Sequence, residues 1–163
     1  MIIIKKIFIL VLTVFFLNSS LYAASSNDGP KKLKSYELAK IKIKKAKKLE
    51  KKGKVEKAQK LYRTSLKFLL KANQVNPADP DTLNYLGFVS RKLGKFDDAE
   101  VYYLLGLDID PKHIGINEYL GELYVITKRV KKARERLAVL KNCNCEEYVD
   151  LKGIIEGTKK SKY

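Results

Sequence analysis

The chain has 163 residues, 45% of them hydrophobic, with 10 Tyr, 6 Phe, no Trp and a formal net charge of +16. That is too apolar for a disordered protein and long enough for one domain with its own core. Two Cys and one His fall short of the ligands a structural zinc site needs.

Residues 1–23 read as a secretory signal peptide. Lys5 and Lys6 carry its only charges, an apolar run extends from Ile7 to Leu17, and Asn18-Ser19-Ser20 leads to Leu21-Tyr22-Ala23. The apolar run is short for crossing ~30 Å of hydrocarbon, which takes about 20 residues. Cleavage after Ala23 would release the chain, and a periplasmic location follows. An uncleaved inner-membrane anchor is the alternative. Residues 24–32 are small, polar and turn-forming, as a flexible mature N-terminus would be.

From Leu33 the spacing becomes helical. Tyr36, Ala39, Ile43, Ala46 and Leu49 or Glu50 share one face, and Gly53 ends the helix. A second face follows with Val55, Ala58, Tyr62, Ser65, Leu69 and Ala72, stopped by Asn76-Pro77-Ala78-Asp79-Pro80. These two helices predict an antiparallel hairpin.

Residues 79–140 then carry one pattern twice. Tyr85-Leu86-Gly87 returns as Tyr119-Leu120-Gly121 and Ala99 returns as Ala133, each displaced by the same 34 positions. A fixed period of this length on helical spacing marks a stacked array of helix pairs. Gly94-Lys95-Phe96 supplies the turn inside the first unit, and Gly53-x-Val55-x-x-Ala58 matches its Gly-x-Phe-x-x-Ala. After Leu140 the period fails. Lys141-Asn142-Cys143-Asn144-Cys145 is a loop, and Glu146-Glu147 opens a short helix bearing Tyr148, Leu151 and Ile155. An array must cover the apolar face of its last unit, so this helix predicts a cap. Residues 158–163 read as a polar, frayed tail.

The run Leu83, Leu86-Gly87, Ser90, Ala99, Tyr103 and Pro111, repeated as Asn117, Leu120-Gly121, Tyr124, Ala133 and Leu137 with Cys145 where the Pro would be, resembles the tetratricopeptide-repeat superfamily. Cys145-Glu146-Glu147-Tyr148-Val149-Asp150-Leu151 is similar to a segment of small secreted bacterial tetratricopeptide proteins of unassigned function. The resemblance implies an all-α solenoid of three antiparallel helix pairs plus a C-terminal capping helix. Its domain would span residues 33–157, with a divergent first repeat at 33–77 whose second helix is lengthened, repeats at 80–111 and 114–141, and the cap at 145–157.

The resemblance also implies a concave groove lined by the first helix of each repeat. Carried onto this sequence, the groove positions include Lys40, Lys44 and Lys47, then Asn84, Tyr85, Phe88 and Arg91, then Glu118, Tyr119 and Glu122. Such a surface grades from basic through aromatic to acidic. The Lys/Asn pair of members that clamp a C-terminal carboxylate is absent, since Phe88 takes the Asn place and Glu118 and Glu122 oppose an anion. The implied partner is a peptide or protein with its own charge polarity, held by a non-enzymatic scaffold without a cofactor, a metal or a small-molecule substrate. No Ser/His/Asp arrangement, phosphate loop or spaced carboxylate pair points to catalysis, and Asp108, Asp110 and His113 sit in a turn where such residues cap helices.

Two other readings stand beside this one. Residues 24–75 hold 17 Lys and Arg against Asp28, Glu37, Glu50 and Glu56, whereas residues 76–163 hold 15 basic and 14 acidic residues. The Lys-rich segment 31–60 could bind anionic lipid headgroups or an acidic polymer by charge, nucleic acid being scarce outside the cytoplasm. Cys143-x-Cys145 could form a disulfide in an oxidising compartment and serve thiol-disulfide exchange, or act as a static staple.

Overall fold

The structure is a computed structural model that describes residues 29–161. The signal-peptide reading and residues 24–28 lie outside the described residues. Seven helices and no strand occur among the described residues: α1 Gly29–Lys51, α2 Val55–Val75, α3 Pro80–Lys92, α4 Phe96–Ile109, α5 Ile114–Ile126, α6 Val130–Leu140 and α7 Glu146–Ile155. They pack as three antiparallel pairs followed by one unpaired helix, an all-α solenoid.

The first pair is the long one, at 23 and 21 residues against 13 and 14 in the second. Helix α1 begins at Gly29, four residues before the sequence spacing shows it, so residues 29–32 are helical rather than a flexible lead-in. Proline fits the first helical turn because its missing N–H would have no intrahelical partner there, and Pro30 opens α1 in that way. Ala39, Ile43 and Ala46 of α1 meet Ala58, Tyr62 and Leu69 of α2, all of them 0–3% exposed. Val55 departs from its expected inward face and is 55% exposed, because it is the first residue of its helix.

One device closes the first helix of each pair and the final helix. Gly53 and Gly94 adopt left-handed φ of +68° and +75°. In each case the next N–H reaches back five residues, Lys54 to the Leu49 carbonyl and Lys95 to that of Ser90, both at 2.9 Å. This is the Schellman closure, which glycine adopts without steric cost. The third pair repeats it with Lys128 at φ +61°, Arg129 N–H donating to Tyr124 O at 2.7 Å. A fourth copy follows α7, with Gly157 at φ +74° and Thr158 N–H on Gly153 O at 2.9 Å.

The core runs along the array in two clusters. Phe88, Leu86, Leu83 and Val89 join the first pair to the second, and Ile116, Leu120, Leu123, Tyr103 and Ala133 join the second to the third. Close approach depends on Gly87, where an added Cβ would lie 2.4 Å from the fully buried Tyr103 ring. At the far end, Leu151 of α7 stands against Gly121 in the same manner. The single helix α7 therefore covers the apolar face that α5 would otherwise expose.

Candidate functional site

The first helices of the repeats, α1, α3 and α5, carry the ten groove positions, and the structure divides those positions in two. Lys40, Lys44, Lys47, Asn84, Tyr85 and Tyr119 keep exposed surface. Phe88, Arg91, Glu118 and Glu122 are buried, at 1%, 3%, 4% and 0% exposure. These four are corrected from open groove positions to interior ones. Repeat spacing fixes the direction in which a side chain leaves its helix, but it does not reveal what covers that side chain.

The aromatic residues form two groups. Tyr36 meets Tyr85 edge-on at 5.7 Å between centroids, and Phe88 meets Tyr119 at 5.5 Å and Tyr62 at 6.1 Å. Cations lie over these rings: Lys40 Nζ is 5.1 Å from the Tyr36 centroid and Lys47 Nζ 4.4 Å from that of Phe88. Such contacts hold an ammonium group by the ring quadrupole, and Lys40 Nζ also pairs with Glu37 at 3.2 Å. Burial pushes the Tyr36 hydroxyl pKa up, and the negative charge of Asp81 adds to the shift. Tyr36 therefore stays a neutral hydroxyl at any physiological pH.

Helices α1 and α3 enclose a cleft of about 390 Å³ lined by Glu37, Lys40, Ile41, Ile43, Lys44, Lys47 and Tyr85. Ile41 is 59% exposed there. It had no place in the sequence reading because it falls off the inward stripe of α1. The available signal was an Ile set between Lys40 and Lys42, with Lys44 and Lys45 at the next helical positions and only Leu38 as an apolar neighbour at that spacing. The cleft thus presents ammonium groups beside an uncovered aliphatic side chain and a half-buried tyrosine.

Farther along, Arg91 crosses from α3 to α5. Its Nη2 lies 3.0 Å from Glu122 Oε2 and its Nη1 donates to Tyr119 O at 2.8 Å, while its guanidinium stacks on the Tyr119 ring at 5.4 Å. At the first pair, Lys92 Nζ reaches Glu50 at 2.9 Å, and Glu50 also accepts from Tyr62 OH at 2.9 Å. These charged residues knit neighbouring repeats together.

Asp110 and His113 do cap work, and Asp81 of α3 holds the His113 ring. His113 Nδ1 accepts from Ile116 N–H at 3.1 Å at the start of α5, its Nε2 lies 3.2 Å from Asp81, and Asp110 accepts from Lys112 N–H at 3.1 Å. Cys143 and Cys145 are joined as a disulfide, with Cα atoms 5.1 Å apart, in the loop before α7, and Cys145 is the residue that opens that helix.

The expected frayed tail is instead ordered through Ser161. After Gly157 the chain turns back along α7, Lys159 pairs with Asp150, and Ser161 Oγ donates to Glu122 Oε2 at 3.2 Å. Asp150 is 3% exposed and, like Gly87 and Gly121, sits seven residues before a left-handed turn. At that place in a repeat a small residue admits the second helix. In the cap an aspartate stands there, and the tail takes the place of the missing helix.

No family model matches the chain, and no curated protein matches it. Solved structures do. The chain is similar to the Arabidopsis OM64 TPR domain (16% identity, TM-score 0.52), with 77% of this chain and 99% of that one covered. It is similar to the first TPR of Spaghetti (RPAP3) bound to the HSP90 peptide SRMEEVD (19% identity, TM-score 0.51), with 76% and 94% covered. The first TPR domain of human RPAP3 matches at 21% identity and a TM-score of 0.50, with 77% and 98% covered. With the 34-residue period, the Schellman turns and the paired helices already in place, the chain has the tetratricopeptide-repeat fold.

Proposed function

We propose that this chain is a non-enzymatic scaffold that holds a polypeptide partner at the cleft between α1 and α3. The observation that carries this reading is the cleft itself, with Lys40, Lys44 and Lys47 ranged beside Ile41 and Tyr85. The cleft sets three ammonium groups against one carboxylate, Glu37, which pairs with Lys40 at 3.2 Å, so its net charge favours acidic segments, and the exposed aliphatic and aromatic surface gains from burying one apolar side chain. The segment that fits is an acidic peptide with a single aliphatic or aromatic anchor. Support comes from the shared fold, since one solved relative holds the peptide SRMEEVD. A chain exported by its N-terminal 23 residues would meet such partners in the periplasm.

Peptide display against the chain lacking residues 1–23 tests the reading. Acidic sequences with one large apolar residue should be enriched. The double substitution Lys40→Glu/Lys44→Glu, and separately Tyr85→Ala, should each weaken their binding at least tenfold. Phe88 is left alone because it is core. If the enriched peptides bind these variants as well as the parent, the cleft is not the site. If binding persists in them but vanishes with added salt, the Lys-rich surface is acting as a general anion binder instead.

A further inference from the structure

The two edges of the array differ in charge, and one of them repeats an exposed apolar residue in every pair. Each pair turns from its first helix to its second at 51–57, 94–98 or 128–132. Contacts between neighbouring repeats set these turns side by side. Lys92, at the end of α3, meets Glu50 of α1 at 2.9 Å, and its carbonyl accepts from Gln59 Nε2 of α2 at 2.7 Å. Arg129 of the third turn meets Glu100 of α4 at 2.7 Å. The second helix opens each time on an apolar side chain, Val55, Phe96 or Val130, and these are 55%, 39% and 38% exposed. Around them stand eight exposed lysines, four, one and three on the successive turns, against the exposed acids Glu56, Asp97 and Asp98. Of these acids, Asp98 pairs with Lys95 at 3.4 Å. The turns of the other edge, 76–81, 108–113 and 141–147, invert the balance, with six carboxylates and two lysines.

We propose that the edge formed by turns 51–57, 94–98 and 128–132 docks the protein on the surface of an anionic bilayer. Its lysines meet lipid phosphates, and Val55, Phe96 and Val130 enter the headgroup layer. Charge selects this occupant, because each lysine held close to an anionic surface strengthens binding about fivefold. The apolar residues stand one to a repeat, which suits shallow insertion at three points. A second copy of the chain fits less well, since each copy carries a net charge of +16 and repels the next. No described helix is long and apolar enough to cross a membrane, so the contact is peripheral. The edges lie about 20 Å apart along the 13 residues of α3, or two Debye lengths at ~0.1 M salt. Docking therefore turns the acidic edge outward, beyond the reach of the lipid charge. None of these turn residues lines the cleft between α1 and α3, so the inference stands apart from peptide capture.

Vesicle flotation tests this with the chain lacking residues 1–23, which keeps every described residue. The vesicles are phosphatidylcholine alone or an equal mixture with phosphatidylglycerol. The parent should float with the anionic vesicles and not with the zwitterionic ones. Lys52→Glu/Lys54→Glu/Lys131→Glu should weaken that binding at least about tenfold. The charge-matched Lys71→Glu/Lys112→Glu/Lys141→Glu, toward the other edge, should weaken it less than about threefold. All six lysines are exposed, and circular dichroism checks that each variant keeps its helices. The chain has no Trp, so Val55→Trp and Ala78→Trp each supply a single reporter, one on either edge. Emission should shift to the blue on anionic vesicles for Val55→Trp alone. The proposal is overturned if the parent does not bind anionic vesicles, if both triple variants lose binding alike, or if the shift is missing at 55 or present at 78. Tighter binding of soluble polyglutamate than of anionic vesicles would assign the edge to an acidic polymer. Self-association abolished by the first triple variant would assign it to a second copy. Either result also overturns the proposal.

Discussion

Arg91 and Glu122 face each other 3.0 Å apart with both side chains fully shielded from solvent, one on the second repeat and the other on the third. Taking two charges out of water is costly, and their attraction in the interior offsets that cost only while both are present. Glu122→Gln should therefore destabilise the fold by about 3 kcal/mol, read as a shift of the urea midpoint. Arg91→Met combined with Glu122→Met removes both charges and should recover most of that loss. A double variant as unstable as the two single losses added together would show that the pair is not coupled.

Gly87 and Gly121 occupy the same repeat position and face different walls. At Gly87 the wall is the Tyr103 ring, buried in the body of the array; at Gly121 it is Leu151 on the terminal helix. Overpacking a rigid wall costs typically about 1–3 kcal/mol. Gly87→Ala should pay that cost as lost global stability. Gly121→Ala should instead push the cap away, so amide exchange quickens across residues 146–155 before the rest of the array is affected. Uniform loss of protection in both variants would contradict this division.

Much of the frame was legible because helix periodicity and turn glycines act locally. Gly53 and Gly94 announce their turns, and the repeat of Leu-Gly fixes where helices meet. What escaped the sequence was everything decided by contacts between repeats. Phe88, Arg91, Glu118 and Glu122 have the right spacing for an open groove, yet their burial depends on Lys47, Tyr62, Tyr119 and other residues distant in sequence. The tail was equally opaque. Thr158–Ser161 has no apolar residue to betray a docked segment, and its order comes from Gly157 reversing the chain toward Asp150.

Lys128 is the position at which the sequence breaks its own rule. Its φ of +61° repeats the Gly53 and Gly94 turns, but it carries a Cβ that crowds the backbone in this region. A left-handed residue other than glycine costs roughly 1 kcal/mol, partly offset by the greater freedom glycine has in the unfolded chain. Lys128 is exposed, so little contact is lost by trimming it. Lys128→Gly should therefore stabilise the fold by about 0.5–1 kcal/mol in urea melts. A destabilised Lys128→Gly would mean that the lysine side chain contributes more than its backbone strain removes.

The turn at Lys128 delivers the next residue, Arg129, to Glu100 of the preceding repeat. The guanidinium meets both carboxylate oxygens, at 2.8 and 2.7 Å, and stacks on Tyr124 at 4.6 Å. The hydrogen bond from Arg129 holds the Glu100 carboxyl below its ordinary pKa of 4.5, overcoming the opposing effect of partial burial. A carboxyl with a depressed folded-state pKa stabilises the fold above its unfolded value, and that contribution is lost as pH falls through the folded value. The stability difference between the parent and Glu100→Gln should thus be constant above about pH 4.5 and shrink steadily below it. Its plateau should be about 0.5–1 kcal/mol, because the side chains are 35% and 18% exposed and water screens the pair. Added salt should lower the plateau without moving the onset far. A difference that stays flat from pH 6 to pH 3 would show that Glu100 acts through packing and hydrogen bonding common to glutamine, and that its charge contributes nothing.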